Sequence, residues 1–227
     1  ATLGTCSSGA YPRIIQSTLG RAGYGPATIT QKGSADLAAV LEGAPGFEDT
    51  SVENIIRADI GGLVETYRKE EGESAKPIGS VMLGCTHFPL ALKEIDEAFA
   101  YWKNWKSEDG EKPYAKLISA QREFIDPAEW TARELFTTLA SKRLRNQGEN
   151  PATTRFFLSV PNVSSDGVAL EENGLSFTYD YKYGRSPNHL EREDTKNIPL
   201  SFETLPESSR KLIEESLPHV AAALAVK

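Results

Sequence analysis

The sequence predicts an α/β fold: a parallel sheet with helices on both faces, followed by a C-terminal appendix with strands and a helix. Three observations predict it. Helical and strand patterns alternate through the first part of the chain, as in proteins built on a parallel sheet. The apolar run Ile78–Leu83 is too short for a helix and is flanked by turn residues, as in a buried parallel strand. Loop-forming residues in Gln147–Pro151 then end this alternating pattern. We therefore expect one unit over residues 1–145 and an extension over residues 146–227.

The chain begins with signals for a helix, a strand and a second helix. Ser7 or Ser8 can cap a helix that runs through Tyr11 to about Leu19. A short strand is predicted around Ala27–Thr30, and a small helix from Ser34 to Leu41.

The middle of the chain predicts two helices around the strand Ile78–Leu83. Thr50 and Glu53 form a capping box ahead of apolar residues at helical spacing. After the strand and a short turn, a further helix starts at Pro89. The next strand ends at Phe124–Ile125.

A strong helix start follows that strand. Asp126 is a capping residue, Pro127 occupies the first helical position and Glu129 the third. We expect this helix to enter the core through Leu135, Phe136 and Leu139.

The C-terminal part predicts two strands and one interrupted helix. The strands are Phe156–Val160 and Ser176–Tyr183, the second with alternating aromatic residues. The charged stretch Asn188–Lys196 is predicted as a loop, and an amphipathic helix begins at Glu207 and is interrupted at Pro218.

Composition limits the class of partner. The 227 residues contain 25 Lys plus Arg against 32 Asp plus Glu, a net charge of −7, so a nucleic-acid partner is not expected. The longest apolar run, Val220–Val226, is too short to span a membrane. Two cysteines cannot form a disulfide framework, and three histidines without a zinc-ligand spacing give no metal site. A cytoplasmic protein is predicted.

Two segments follow strands, where an open parallel sheet binds its ligands. Residues 1–9 form a hydroxyl- and glycine-rich turn into a helix, suited to a carboxylate or phosphate, although ordinary helix capping explains it equally well. Residues 83–90 carry Cys85, Thr86 and His87 just before a predicted helix, whose dipole favours a thiolate. A buried structural cysteine is the alternative.

The second segment, Leu-Gly-Cys-Thr-His-Phe-Pro-Leu, resembles the second cysteine motif of the glutamate racemases in the aspartate/glutamate racemase superfamily. Other segments fall in the family's order: Ala1–Thr5 with Ser8–Tyr11, then Val40–Glu42, then Phe124–Ala128. His87 favours the glutamate branch, because aspartate racemases tend to carry Glu after the Cys-Thr pair.

The resemblance implies cofactor-independent interconversion of L- and D-glutamate, a peptidoglycan precursor, by two cysteines on opposite faces of the substrate. Cys85 would be one acid/base and His87 its helper. The substrate's carboxylate or amino group would be bound by Thr2, Thr5 and Thr86. Glu42 matches an acidic residue that can orient the histidine, or it is a solvated helix-end glutamate.

The chain also departs from the family, because it lacks two of the family's motifs. The family's first lobe carries Asp-Ser-Gly and Cys-Asn-Thr motifs, and neither is present here. The chain therefore resembles the C-terminal lobe with the N-terminal lobe missing, and the resemblance also allows a homodimer. Cys6 could replace the missing thiol, but we favour a small apolar role at a helix start. An aspartate racemase, a single-cysteine decarboxylase or isomerase, and a non-catalytic carboxylate-binding fragment remain open.

Overall fold

The computed structural model describes residues 2–4, 10–41, 51–144, 155–172, 174, 176–183, 192–205 and 207–225. They form a mixed α/β structure with a small parallel sheet, and a pair of antiparallel strands in the C-terminal part. The described residues divide into two compact units, one made of residues 2–41 and 51–144, the other beginning at residue 155.

The first unit is a four-stranded parallel sheet with its helices. In chain order its elements are β1 (Thr2–Gly4), α1 (Ala10–Arg21), β2 (Gln31–Gly33), α2 (Ala35–Leu41), α3 (Val52–Glu71), β3 (Ile78–Leu83), α4 (Leu92–Asn104), β4 (Ile118–Ile125) and α5 (Pro127–Ser141). The strand order is β2-β1-β3-β4. Leu3 pairs with both Lys32 and Leu83, and Met82 pairs with Ile125. The carboxyl ends of the four strands therefore meet at one edge of the sheet.

The hydrophobic core joins the sheet to α3 and α4. It includes Val81 and Leu83 of β3, Ile56, Ile60, Leu63 and Val64 of α3, and Ile95 and Phe99 of α4. These residues recur at the spacings that place them on one face of each element. Helices α3 and α4 come close where Gly61 faces Trp102, since a Cβ on Gly61 would overlap the indole ring.

The predicted strand at Ala27–Thr30 is wrong, because the strand is Gln31–Gly33. The side chain of Gln16 explains the difference. Its amide oxygen accepts a hydrogen bond from the Ala27 N–H at 3.1 Å, and its amide nitrogen donates to the Ala27 carbonyl. Both backbone groups of Ala27 are thus bonded to a helix side chain and do not join the sheet.

Two helix starts also differ from prediction. Ser51 caps α3, accepting a hydrogen bond from the Asn54 N–H at 3.3 Å, while Thr50 lies outside the described residues. After β3, a 3₁₀ turn over Phe88–Ala91 comes first, and α4 begins only at Leu92. The predicted helix start at Pro89 therefore falls inside the 3₁₀ turn.

Helix α5 begins as predicted but packs differently. Asp126 accepts a hydrogen bond from the Ala128 N–H at 2.8 Å, which confirms the predicted cap. The predicted burial of its apolar residues is wrong: Leu135, Phe136 and Leu139 are 58%, 75% and 40% exposed. No described side chain of α5 is buried.

The second unit contains β5 (Phe157–Pro161), α6 (Tyr179–Tyr183), β6 (Thr195–Pro199), α7 (Glu207–Ser216) and α8 (Pro218–Ala225). Strands β5 and β6 pair antiparallel, so the predicted loop at Asn188–Lys196 is wrong where β6 begins.

The predicted strand Ser176–Tyr183 is also wrong, because its second half is the helix α6. Phe177 stacks on Tyr181 with ring centroids 5.1 Å apart, and the Tyr181 N–H donates to the Thr178 hydroxyl. The Tyr181 hydroxyl donates to the buried Asp194. Phe177 precedes α6 and Tyr181 lies within it, so this ring contact joins the helix to the segment before it.

Candidate active site

The thiol of Cys85 lies at the carboxyl edge of the sheet, in the turn that follows β3. The Phe88 N–H donates a hydrogen bond to the Cys85 carbonyl at 3.2 Å and closes the turn. The Phe88 side chain is fully buried, which anchors the turn in the core. Cys85 is half-buried at the margin of the core. The turn therefore buries Phe88 in the core and leaves the thiol at the edge of the sheet.

His87 contacts the thiol directly. The distance between Cys85 Sγ and His87 Nδ1 is 3.4 Å, within hydrogen-bonding range for sulfur. Both side chains are half-buried. In one protonation state the thiol donates to the imidazole, and in the other an imidazolium donates to the thiolate. The pair can therefore hold one proton in two places, as a thiol acid/base requires.

A pocket of about 300 Å³ opens beside Cys85. The described residues that line it are Ile14, Ile15, Met82, Leu83, Gly84, Cys85, Thr86, Asp126, Pro127 and Ala128. The lining is mainly apolar, and Asp126 is the one charged side chain among these residues. His87 contacts Cys85 from outside this lining.

The structure describes only some of the other predicted site residues. Thr86 is exposed and lines the pocket beside Cys85. Thr2, the first residue of β1, pairs with Met82 of β3. Met82 lies three residues before Cys85. Thr5 and Glu42 lie outside the described residues, as does Cys6.

Asp126 was identified from the sequence as a helix cap and as part of the Phe124–Ala128 segment but not as a site residue, yet it also belongs to the pocket. It follows β4, the strand beside β3, and this half-buried residue lines the same pocket as Cys85. Its position after a strand was the available signal, because residues there gather at the ligand-binding edge of a parallel sheet.

A second polar cluster lies at the carboxyl end of β2 and was not predicted. The buried Ser34 hydroxyl donates to Asp59, and Lys32 Nζ lies 3.7 Å from the Asp59 carboxylate. Burial raises the pKa of Asp59, and the Ser34 hydrogen bond opposes this shift. Ser34 also accepts from the Leu37 N–H at 3.4 Å, so the cluster fixes α2 against α3.

The described residues contain no candidate metal site and no candidate membrane span. No group of three or more His, Cys, Asp or Glu side chains in these ranges is arranged to hold a metal ion. Within the same ranges, no helix is both long and apolar enough to cross a membrane.

Comparison of the chain with protein-family models, with curated proteins and with solved structures found no match.

Proposed function

We propose that this protein takes part in cofactor-independent racemisation of an amino acid, interconverting L- and D-glutamate, with Cys85 as one of the two acid/base groups. The observation that carries the proposal is the 3.4 Å contact between Cys85 Sγ and His87 Nδ1 beside a pocket. The sequence resemblance to the glutamate racemases supplies the reaction and the substrate.

The chemistry needs a thiolate that accepts a proton from carbon. The Cα–H bond breaks, its electron pair moves toward the substrate carboxylate, and a new S–H bond forms on Cys85. In the reverse direction the Cys85 thiol donates its proton to Cα. Racemisation needs a second acid/base on the opposite face of Cα, and Cys85 supplies one face.

His87 supports this step as a positioning residue. Its Nδ1 hydrogen-bonds to the sulfur and stabilises whichever protonation state the thiol adopts. The pocket suits a small substrate, since about 300 Å³ is at the lower end of ligand-site volumes. Its mainly apolar walls lower the polarity beside the thiol, which strengthens electrostatic interactions at the reacting atoms.

The parallel sheet with its helices would correspond to one lobe of the racemase fold. A cytoplasmic location agrees with the low cysteine count.

Hydrogen exchange at Cα tests the proposal without requiring complete racemisation. The protein is incubated with L-glutamate in deuterium oxide, and deuterium at Cα is measured by mass spectrometry. We expect incorporation by the wild-type protein and its loss in Cys85→Ala. His87→Gln should slow exchange by about 10²-fold or more, the usual contribution of a group assisting proton transfer.

His219→Gln is the matched control, because His219 is an exposed histidine on α8 in the other unit. It should exchange at the wild-type rate. Exchange that survives in Cys85→Ala, or that is absent from the wild-type protein, would overturn the proposal. Exchange into aspartate in place of glutamate would correct the substrate and retain the role of Cys85.

A further inference from the structure

We infer that Asp126 binds the ammonium group of the substrate and thereby selects an α-amino acid over a simple carboxylic acid. This inference rests on the proposed function of the Cys85 site. It adds a specificity-determining residue directly after β4, the strand next to the one that the Cys85 turn follows.

The register of the sheet places Asp126 beside the site. Met82 pairs with Ile125, so Leu83 and Asp126 each directly follow a paired position of two neighbouring strands, and such strands lie about 4.8 Å apart. Both residues line the pocket, together with Cys85. A ligand group on Asp126 and a carbon atom beside the Cys85 sulfur can therefore belong to one small molecule.

The carboxylate of Asp126 has one oxygen committed to the fold. Its Oδ1 accepts the hydrogen bond from the Ala128 N–H that caps α5. In the described part of the chain no donor reaches Oδ2, and no Lys or Arg forms an ion pair with this carboxylate. The carboxylate of a half-buried residue beside a mainly apolar pocket gains most from a cation or a hydrogen-bond donor.

The charge of the pocket indicates which part of a substrate lies there. All the other described lining residues are neutral, so the charge on this wall is negative. The N-terminus of α5 would favour an anion, but the capping carboxylate of Asp126 already occupies it. A substrate carboxylate would be repelled at this point, whereas a primary ammonium would form a charge-assisted hydrogen bond with Oδ2.

Protection of Cys85 from alkylation tests the inference independently of turnover. Iodoacetamide labelling of the peptide that contains Cys85 is followed by mass spectrometry, with L-glutamate or glutarate present. Glutarate has both carboxylates of glutamate and lacks the ammonium. In the wild-type protein, we expect glutamate to protect at about tenfold lower concentration than glutarate, the effect of one hydrogen bond to a charged group.

Asp126→Asn should abolish the difference between the two ligands. Asparagine caps a helix as well as aspartate does, so α5 should keep its start while the negative charge is removed. Glu123→Gln is the matched control, since it removes one negative charge from an exposed residue of β4 outside the pocket. This variant should retain the wild-type preference for glutamate.

Equal protection by glutamate and glutarate in the wild-type protein would overturn the inference, as would no protection by either. A preference for glutamate that persists in Asp126→Asn would also overturn it. The proposed reaction is judged separately: protection by glutamate without deuterium exchange would retain the ammonium site and reject the racemase proposal.

Discussion

Helices α4 and α5 follow neighbouring parallel strands and carry similar apolar patterns, but they differ completely in burial. Ile95, Ala98 and Phe99 of α4 are 0%, 4% and 0% exposed. In α5, Phe136 is 75% exposed and no described residue is buried. The difference lies in the neighbours, because α4 packs along α3 and forms the main helix–helix contact of the unit. An amphipathic pattern shows which side of a helix can be buried, and a packing partner decides whether it is buried.

The largest expected difference between the two helices is in the effect of replacing a phenylalanine on each. Phe99→Ala should lower the free energy of unfolding by about 3–5 kcal/mol, because it removes a fully buried ring from the core. Phe136→Ala should change it by less than about 0.5 kcal/mol, as expected of an exposed side chain. Urea unfolding of both variants measures the difference. A comparable loss in Phe136→Ala would mean that the apolar side of α5 is covered in solution.

The contact between α3 and α4 is tested by two adjacent glycines. Gly61→Ala should destabilise the protein by about 1–3 kcal/mol, because the new methyl group overlaps the Trp102 ring. Gly62→Ala is the control. Its Cβ would meet only Lys32 Nζ at 3.7 Å, so the higher helix propensity of alanine should stabilise the protein by up to about 1 kcal/mol. Equal effects at the two positions would contradict close packing of Trp102 on Gly61.

The smallest effect concerns a polar contact at the margin of the same packed face. The Arg68 guanidinium, with added hydrogen bonds from Lys69 and Tyr114, lowers the pKa of Glu65 from 4.5 to about 2. The folded-state pKa lies below the unfolded value, so this stabilisation is fully present above about pH 4.5 and is lost as the pH falls toward 2. Glu65 is 28% exposed and is bonded mainly to exposed cations. We therefore expect its ion pairs to contribute less than about 1 kcal/mol to the free energy of unfolding.

Thermal unfolding between pH 7 and pH 2 checks this prediction. Glu65→Gln should be less stable than wild type at pH 7, and the gap should close as the solution becomes acidic. Glu97→Gln is the matched control, since Glu97 is 62% exposed and pairs with Lys93 at 3.8 Å. A gap for Glu65→Gln that stays constant with pH would exclude the carboxylate charge as its cause.

The sequence by itself determined the elements whose signals are local. The apolar run of β3, the Asp126 cap and the turn that carries Cys85 and His87 were all predicted from short stretches. Capping, turn formation and strand length depend on neighbouring residues, so a single sequence contains the necessary information.

Tertiary structure decided what depends on distant partners. Gln16 removed Ala27 from the sheet, and the Tyr181 hydroxyl bonds to Asp194 from a helix where a strand was predicted. The exposure of α5 and the pocket position of Asp126 likewise depend on which elements adjoin β3 and β4. These contacts join residues far apart in the chain, and their free energies exceed the small differences in local preference that the sequence pattern reports.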